Sequence, residues 1–98
     1  MAKGYLIAHI TVTDPENYPK YIKADGPVFE KWGAKFVVRG GDCTLVEGTT
    51  RERHVVIEFE SYEKALACYN SPDYQAAAKL RQAYAQSEVL VVEGIPEA

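Results

Sequence analysis

The stretch from Phe36 to Phe59 constrains the fold of this chain more than any other. Two apolar, β-branched runs flank a middle segment that contains Gly40, Gly41 and Gly48. Such runs, bounded by turn residues, predict two extended strands joined by bends. Gly40 and Gly41 predict a bulge or a sharp bend, because glycine adopts backbone conformations that are closed to other residues.

Residues 5–12 alternate between two kinds of side chain, which predicts another strand. One set is purely apolar and is expected to meet helices: Leu6, Ala8, Ile10 and Val12. The other set mixes apolar and polar groups: Tyr5, Ile7, His9 and Thr11. We expect this mixed face to meet something other than bulk water or a dry core.

Between these strands the sequence predicts a first helix. Asp14 can cap its start, and Pro15 suits its first position. Gly26-Pro27 predicts a break, because proline disfavours helical geometry in the residue before it. Gly33 is expected to end the second piece.

Two further helices and a last strand follow residue 60. Ser61 is a capping residue for one helix, and Ser71-Pro72-Asp73 restarts the next by the same chemistry. Residues 86–92 are rich in valine and predict the last strand. The final residues, 95–98, are expected to form a frayed tail.

The order is therefore βαββαβ, which predicts an α+β, ferredoxin-like sandwich formed by residues 1–98 as a single domain. The first and third strands are then central neighbours in a four-stranded antiparallel sheet, with helices on one face only. The bare face is expected to carry Tyr5, Ile7, His9, Val56 and Leu90. Because this face is so apolar, it is predicted to be an interface. Two such faces packed together would make a homodimer.

Composition limits the possible partners of this domain. The net charge is −3 and no Lys/Arg cluster stands out, so no nucleic-acid partner is expected. No apolar run approaches the ~20 residues of a membrane span, and the chain start lacks the apolar region of a signal peptide. Cys43 and Cys68 are far apart, without metal-type spacing. We predict a cytoplasmic protein with no membrane partner and no metal.

Several segments together resemble the family called domain of unknown function 1330, in the right order over residues 4–94. These are Gly-Tyr-Leu-Ile-Ala, Val-Thr-Asp-Pro-Glu-Asn-Tyr, Val-Arg-Gly-Gly, Val-Glu-Gly, Arg-His-Val-Val-Ile-Glu-Phe and Cys-Tyr-Asn-Ser-Pro-Asp-Tyr. The resemblance implies the dimeric α+β barrel superfamily, which includes cofactor-free monooxygenases, haem-degrading enzymes and stress-response proteins. The family has no established activity. Cys68 stands where members often have tryptophan, which affects only helix packing or a pocket wall.

Arg39 and Glu58 are candidate site residues on neighbouring predicted strands. Arg39 could bind an anionic or carbonyl group through two hydrogen bonds, with Glu58 as the catalytic proton acceptor. The alternative is a structural ion pair that sets strand register or the dimer.

His9 and His54 are expected on or near the same sheet face. His9 is a candidate catalytic base and His54 a candidate ligand-binding residue, although a satisfied core or interface histidine is the favoured alternative. No third metal ligand accompanies them. A haem role rests on analogy with the superfamily alone.

The joint between the last two helices supplies the remaining ligand-binding candidates. Tyr69, Asn70 and Tyr74 offer polar groups beside it, although capping and hydrophobic filling explain much of this segment. Arg81 shares a helix face with Tyr74 and could reach a carboxylate or a ligand. A solvated helix charge is the favoured alternative for Arg81.

Two functions remain open from the sequence. The favoured one is a homodimer that binds or transforms a small organic molecule in a cavity beside the sheet, without a tightly bound cofactor. The other is a structural or stress-related homodimer whose sheet face serves only association. RNA binding is disfavoured, because Val56 and Glu58 stand where stacking aromatic residues are required.

Overall fold

The computed structural model describes residues 2–97 and confirms the predicted ferredoxin-like order. The elements are β1 (Gly4–Val12), α1 (Pro19–Lys31), β2 (Lys35–Arg39), β3 (Arg53–Phe59), α2 (Tyr62–Tyr69), α3 (Pro72–Tyr84) and β4 (Ala85–Glu93). The strands form one antiparallel sheet in the order β2-β3-β1-β4, so the first and third strands are central neighbours, as predicted. The tail segment 95–97 follows the last strand. Residues 1 and 98, the ends of the predicted domain, lie outside the described residues.

The core lies between the helices and one face of the sheet. Burial alternates along β1, where Leu6, Ala8 and Ile10 are buried as predicted and the residues between them are not. Phe29 of α1 and Tyr74 of α3 pack against this face, with their ring centroids 5.2 Å apart. The alternation of the strand thus decides which side chains meet helices.

The first helix begins later than predicted, at Pro19. Asp14 does organise this region: its carboxylate accepts hydrogen bonds from the Asn17 backbone N–H at 3.2 Å and from the Asn17 side chain at 2.8 Å. These bonds shape a single turn before the helix. Pro19 has no N–H to donate to the carbonyl of Pro15, so the regular helical ladder starts only at Pro19.

The predicted break at Gly26-Pro27 was wrong, because α1 continues through it. Tyr21 before this pair and Phe29 after it are both buried in the core, which holds the two halves in line. Proline still cannot donate to the carbonyl four residues earlier, so this turn has one helical hydrogen bond fewer.

The other two helices begin as predicted. The Ser61 side chain accepts a hydrogen bond from the Lys64 backbone N–H at 3.1 Å, and Ser71 accepts one from Tyr74 at 3.2 Å. Each bond satisfies a backbone donor that the helix itself cannot pair. The last strand, β4, contains the predicted residues 86–92.

Strand β2 contains a bulge, but not at the predicted glycines. The register shifts between Phe36 and Val38, and Arg39 then lies opposite Val55. Gly40 adopts a φ of 67° just after the strand, and its N–H donates to the His54 carbonyl at 2.9 Å. The glycine thus makes the predicted sharp bend, while the bulge lies earlier and decides which face Arg39 occupies.

Candidate functional site

Alternation along β3 divides the candidate residues between the two faces of the sheet. Arg53 lies on the side of the helices, while the adjacent His54 lies on the opposite side. We call this opposite side the open face, because the helices leave it uncovered. It carries Tyr5, Ile7, His9, Thr11, Val38, His54, Val56, Glu58, Glu88, Leu90 and Val92.

On the helix side, a cavity lies between α1 and the sheet, and we call it the α1 cavity. Its apolar lining consists of Leu6, Ala8, Ile10, Ile22, Phe36, Val55 and Ile57. Its polar lining consists of Tyr18, Tyr21, Asp25, Arg39 and Arg53. Of these five, only Arg39 was predicted from the sequence as a ligand-binding residue.

The polar lining comes together through the spacing of α1 and the register of the sheet. Asp25 lies seven residues after Tyr18 and four after Tyr21, so all three share one face of the helix. This spacing was the signal in the sequence that could have identified Asp25, because it continues the apolar stripe of the helix. Alternation in β3 turns Arg53 toward the same space, and the β2 bulge does the same for Arg39.

Asp25 is a charged group in an unusually closed position. Its relative exposure is 6%, and its Oδ1 lies 3.8 Å from Arg39 Nη2, which is too far for a hydrogen bond. Oδ1 has no hydrogen-bond partner among residues 2–97. Burial raises the pKa of Asp25 to about 6, although Arg39 and the Tyr21 hydroxyl act in the opposite direction. The carboxyl group can therefore gain or lose a proton near neutral pH.

Arg53 approaches the same cavity with an incompletely paired guanidinium. Its Nε is buried and has no hydrogen-bond partner within the described chain. Its Cζ lies 5.7 Å from the centroid of the Tyr18 ring. The guanidinium also lies against Gly40, where an added Cβ would collide with Arg53 Nη1. Gly40 thus provides the space that the Arg53 side chain occupies.

Behind the cavity, a buried hydrogen-bonded chain joins α1, α3 and β4. Arg81 donates from Nη1 to the Tyr74 hydroxyl at 2.6 Å and from Nε to the Ser87 hydroxyl at 3.1 Å. The Tyr74 and Tyr21 hydroxyls are 2.8 Å apart. Arg81 is only 3% exposed, so the solvated charge favoured from the sequence was wrong. The two tyrosine hydroxyls satisfy the buried charge and connect it to the cavity lining.

Tyr69 and Asn70 line a different place, an open groove between α2 and β4. Leu66, Val89 and Val91 form the rest of its lining, and its volume is about 320 Å³. The α1 cavity is far smaller, about 10 Å³, which is room for about one water molecule. The larger space has few polar groups, while the smaller one contains the unpaired carboxylate and guanidinium atoms.

The predicted site formed by Arg39 and Glu58 was wrong, because the two residues lie on opposite faces of the sheet. Glu58 accepts a hydrogen bond from the Tyr5 hydroxyl at 3.3 Å and lies 3.8 Å from Lys3 Nζ. Arg39 packs over the Phe36 ring at 4.0 Å, on the side of Asp25. The bulge in β2 adds one residue, and a shift of one residue reverses the direction of the following side chains.

His9 and His54 do share the open face, as predicted. Their Nδ1 atoms are 2.8 Å apart, so one imidazole donates a hydrogen bond to the other. His54 Nε2 is buried without a hydrogen-bond partner among residues 2–97. The roles predicted for His9 and Glu58 in catalysis, and for His54 in ligand binding, stay predictions.

Possible metal ligands, the buried thiol and the helices are further features of the described part of the chain. Within residues 2–97, no group of three or more histidine, cysteine or carboxylate side chains has an arrangement that could hold a metal ion. Burial raises the pKa of the Cys68 thiol to about 11, so it stays protonated at neutral pH. In the same part of the chain, no helix combines the length and the apolar character that crossing a membrane requires.

Comparison with known families gives one match over nearly the whole chain. A family model described as a domain of unknown function (DUF1330) matches residues 3–95. No curated protein matches the chain.

Solved structures with the same fold include proteins with and without a known activity. A protein of unknown function from Rhodopseudomonas palustris has a TM-score of 0.75 and 22% identity, covering 98% of this chain and 85% of that one. SnoaB, a cofactor-independent oxygenase from Streptomyces nogalater, has a TM-score of 0.64 and 14% identity, covering 99% and 97%. A dimeric ferredoxin-like protein of unknown function from Thermobifida fusca has a TM-score of 0.53 and 18% identity, covering 94% and 89%. At these identities the similarity establishes the fold alone.

Proposed function

This chain belongs to the family called domain of unknown function 1330, and we propose that it binds a small organic molecule in the α1 cavity and exchanges a proton with it. One observation carries the proposal. Two buried polar atoms, Asp25 Oδ1 and Arg53 Nε, belong to residues that line the same apolar-walled cavity, and neither has a hydrogen-bond partner among residues 2–97.

Unpaired buried polar atoms are costly to a folded chain. Each costs about 1–3 kcal/mol, and more when the group is charged. A fold that serves only as a scaffold gains nothing from two such atoms in one place. A binding site gains from them, because a ligand that supplies the missing partners recovers this free energy on binding.

The chemistry that the cavity supports is proton transfer. Burial raises the pKa of Asp25 to about 6, so at neutral pH the group is ionised and can accept a proton from a weak acid. Arg39 and Arg53 provide positive charge where a negative oxygen would form. Such a reaction requires no tightly bound cofactor. SnoaB, which has the same fold, is a cofactor-independent oxygenase, so the fold is compatible with this proposal.

A ligand larger than water requires the cavity to open. The side chain of Arg39 is 42% exposed and can swing outward without losing a hydrogen bond to Asp25. Helix α1 contains Pro27, and the missing hydrogen bond at this turn makes the helix easier to displace there. We propose that these two parts admit the ligand.

We also propose that two copies of the chain associate through their open faces. Leu90 and Val92 are 41% and 40% exposed there, and Ile7 and Val56 lie beside them on the central strands. The related structure from Thermobifida fusca is described as dimeric, which supports this arrangement. The alternative function, a homodimeric scaffold, is favoured by one observation, the small volume of the α1 cavity.

A thermal-shift screen at about pH 6 separates the two functions. Small phenols, carboxylates and quinones are tested on the wild type, on Asp25→Asn and on the control Asp42→Asn, which changes an exposed carboxylate outside the cavity. We expect at least one class to stabilise the wild type and the control. Asp25→Asn should melt at or above the temperature of the wild type but lose most of this stabilisation by the compounds. If no compound stabilises the wild type and Asp25→Asn melts well below it, the ligand-binding function is wrong and the scaffold function is the one supported.

A further inference from the structure

The charges around the α1 cavity do not balance. Arg39 and Arg53 contribute one positive charge each and Asp25 contributes one negative charge when ionised, which leaves a net charge of +1. The lining contains no second carboxylate within residues 2–97. Arg81 adds further positive charge behind the cavity, through the Tyr74 and Tyr21 hydroxyls. In apolar surroundings an uncompensated positive charge favours an anion.

The two atoms that lack partners in the described chain define what the ligand must present. Asp25 Oδ1 accepts a hydrogen bond, and Arg53 Nε donates one. A single hydroxyl group can meet both needs, because it donates through its hydrogen and accepts through its oxygen. A carboxylate has no hydrogen to offer Asp25, and an ether oxygen likewise only accepts.

We propose that the ligand is a small weak organic acid, a phenol or an enol, which gives its hydroxyl proton to Asp25 and remains as the anion beside Arg53 and Arg39. This inference rests on the proposed function and names its ligand class. In the step, the ligand O–H bond breaks, its electron pair stays on the ligand oxygen, and a new O–H bond forms on the Asp25 carboxylate. No electrons are exchanged, so the step requires no oxidant or reductant.

The positions of the two arginines suit a planar anion. The Arg39 guanidinium lies 4.0 Å above the ring of Phe36, which is part of the apolar lining of the cavity. Arg53 lies against Gly40 and near the ring of Tyr18, and both neighbours restrict its orientation. Because a phenol is a weaker acid than a buried carboxyl group by about 4 pKa units, the transfer depends on stabilisation of the anion by these guanidinium groups.

Four nitrobenzene derivatives of similar shape test the ligand class on the full chain. These are para-nitrophenol, para-nitrobenzyl alcohol, para-nitroanisole and para-nitrobenzoate. Binding is measured by calorimetry, and the colour of para-nitrophenol reports its ionisation. At about pH 6, where the free compound is mainly protonated, we expect bound para-nitrophenol to show the phenolate spectrum. We expect it to bind at least about tenfold more tightly than the other three.

A pair of matched variants locates the interaction. Arg53→Met should remove the phenolate spectrum, while Arg51→Met, which changes an arginine bound to Glu88 outside the cavity, should retain it. If Arg53→Met does not fold, the comparison of the four compounds on the wild type decides alone.

The outcomes separate this inference from the proposed function. If para-nitroanisole or the alcohol binds within about twofold of para-nitrophenol, a ligand site exists but acidity does not select its occupant, and the inference falls. Tightest binding of para-nitrobenzoate also overturns it, in favour of a carboxylate. If none of the four compounds binds, both this inference and the proposed function are wrong.

Discussion

The α1 cavity and the open face contain similar residue types but differ in how far the ionisable side chains are paired by hydrogen bonds. On the open face the ionisable groups pair with one another: His9 pairs with His54, and Glu58 with Tyr5. His54 Nε2 is the exception on this face, since it is buried without a hydrogen-bond partner among residues 2–97. In the cavity, Asp25 lies beside two arginines without a hydrogen bond to its Oδ1 from any described residue. The same strand, β3, supplies side chains to both regions.

The presence of the paired groups can be explained by the stability of the fold. The presence of the unpaired groups cannot. Paired groups on a partly exposed surface cost little, since water and neighbours replace lost hydrogen bonds. Unpaired groups in a closed apolar space lower the stability of the fold, so a ligand is the better explanation for them. This contrast is the reason why we propose association for the open face and ligand chemistry for the cavity.

The largest effect is expected from a charge placed at the centre of the open face. Ile7→Asp introduces an unpaired carboxylate between Val56 and Leu90, and burying it in a dimer would cost several kcal/mol. Sedimentation at micromolar concentration should give about twice the chain mass for the wild type and the chain mass for a folded variant. The control is Val46→Asp, at a position that is 90% exposed, and it should keep the wild-type mass. A monomeric wild type would show that the open face is no interface.

A smaller loss is expected from the buried chain behind the cavity. Tyr74→Phe removes the acceptor of Arg81 Nη1 and the partner of the Tyr21 hydroxyl, so it should cost about 1–3 kcal/mol in the free energy of unfolding. Urea denaturation measures this loss. Tyr69→Phe is the matched control, since its ring lies 5.4 Å from that of Tyr74 but beside the open groove, and it should cost less than about 0.5 kcal/mol. Equal losses would mean that the hydroxyl chain contributes nothing specific.

Asp25→Asn should instead stabilise the protein, and only above a certain pH. Because burial raises the folded-state pKa of Asp25 from 3.8 to about 6, the folded chain binds more protons than the unfolded chain between these values. The contribution of Asp25 to stability is therefore fully present below about pH 4 and is lost as the pH rises through about 6. The variant should gain about 1–3 kcal/mol over the wild type at pH 7, and little at pH 4.

Melting curves of both proteins across this pH range measure that difference. The exposed Asp42→Asn serves as the control and should follow the wild type at every pH. A constant difference between Asp25→Asn and the wild type would mean that burial does not perturb this carboxyl group.

The smallest effect is expected for the coupling between Arg39 and Glu58, the pair that was predicted from the sequence to form one site. Arg39→Met and Glu58→Gln should be additive within about 0.5 kcal/mol, because the two side chains lie on opposite faces. Arg39→Met and Asp25→Asn should show a larger coupling, since the charged atoms are 3.8 Å apart. Stronger coupling between Arg39 and Glu58 than between Arg39 and Asp25 would contradict the observed register of β2.

Most of the fold was readable from local patterns along the chain. The alternation of residues 5–12, the caps at Ser61 and Ser71, and the topology rules together predicted the strand order and the proximity of His9 to His54. Such features depend on neighbours within a few residues or on the handedness of short connections, so the sequence alone can predict them.

The composition of the candidate site depended instead on contacts between distant parts of the chain. A bulge between Phe36 and Val38 turns Arg39 away from Glu58, and no residue type in β2 predicts this bulge. The sequence favoured a solvated charge for Arg81 and led to no prediction for Asp25, but the packing of α1 and α3 over the sheet buries both side chains. Strand register and the depth of burial arise from pairing across space, and a shift of one residue reverses the face that every following side chain meets.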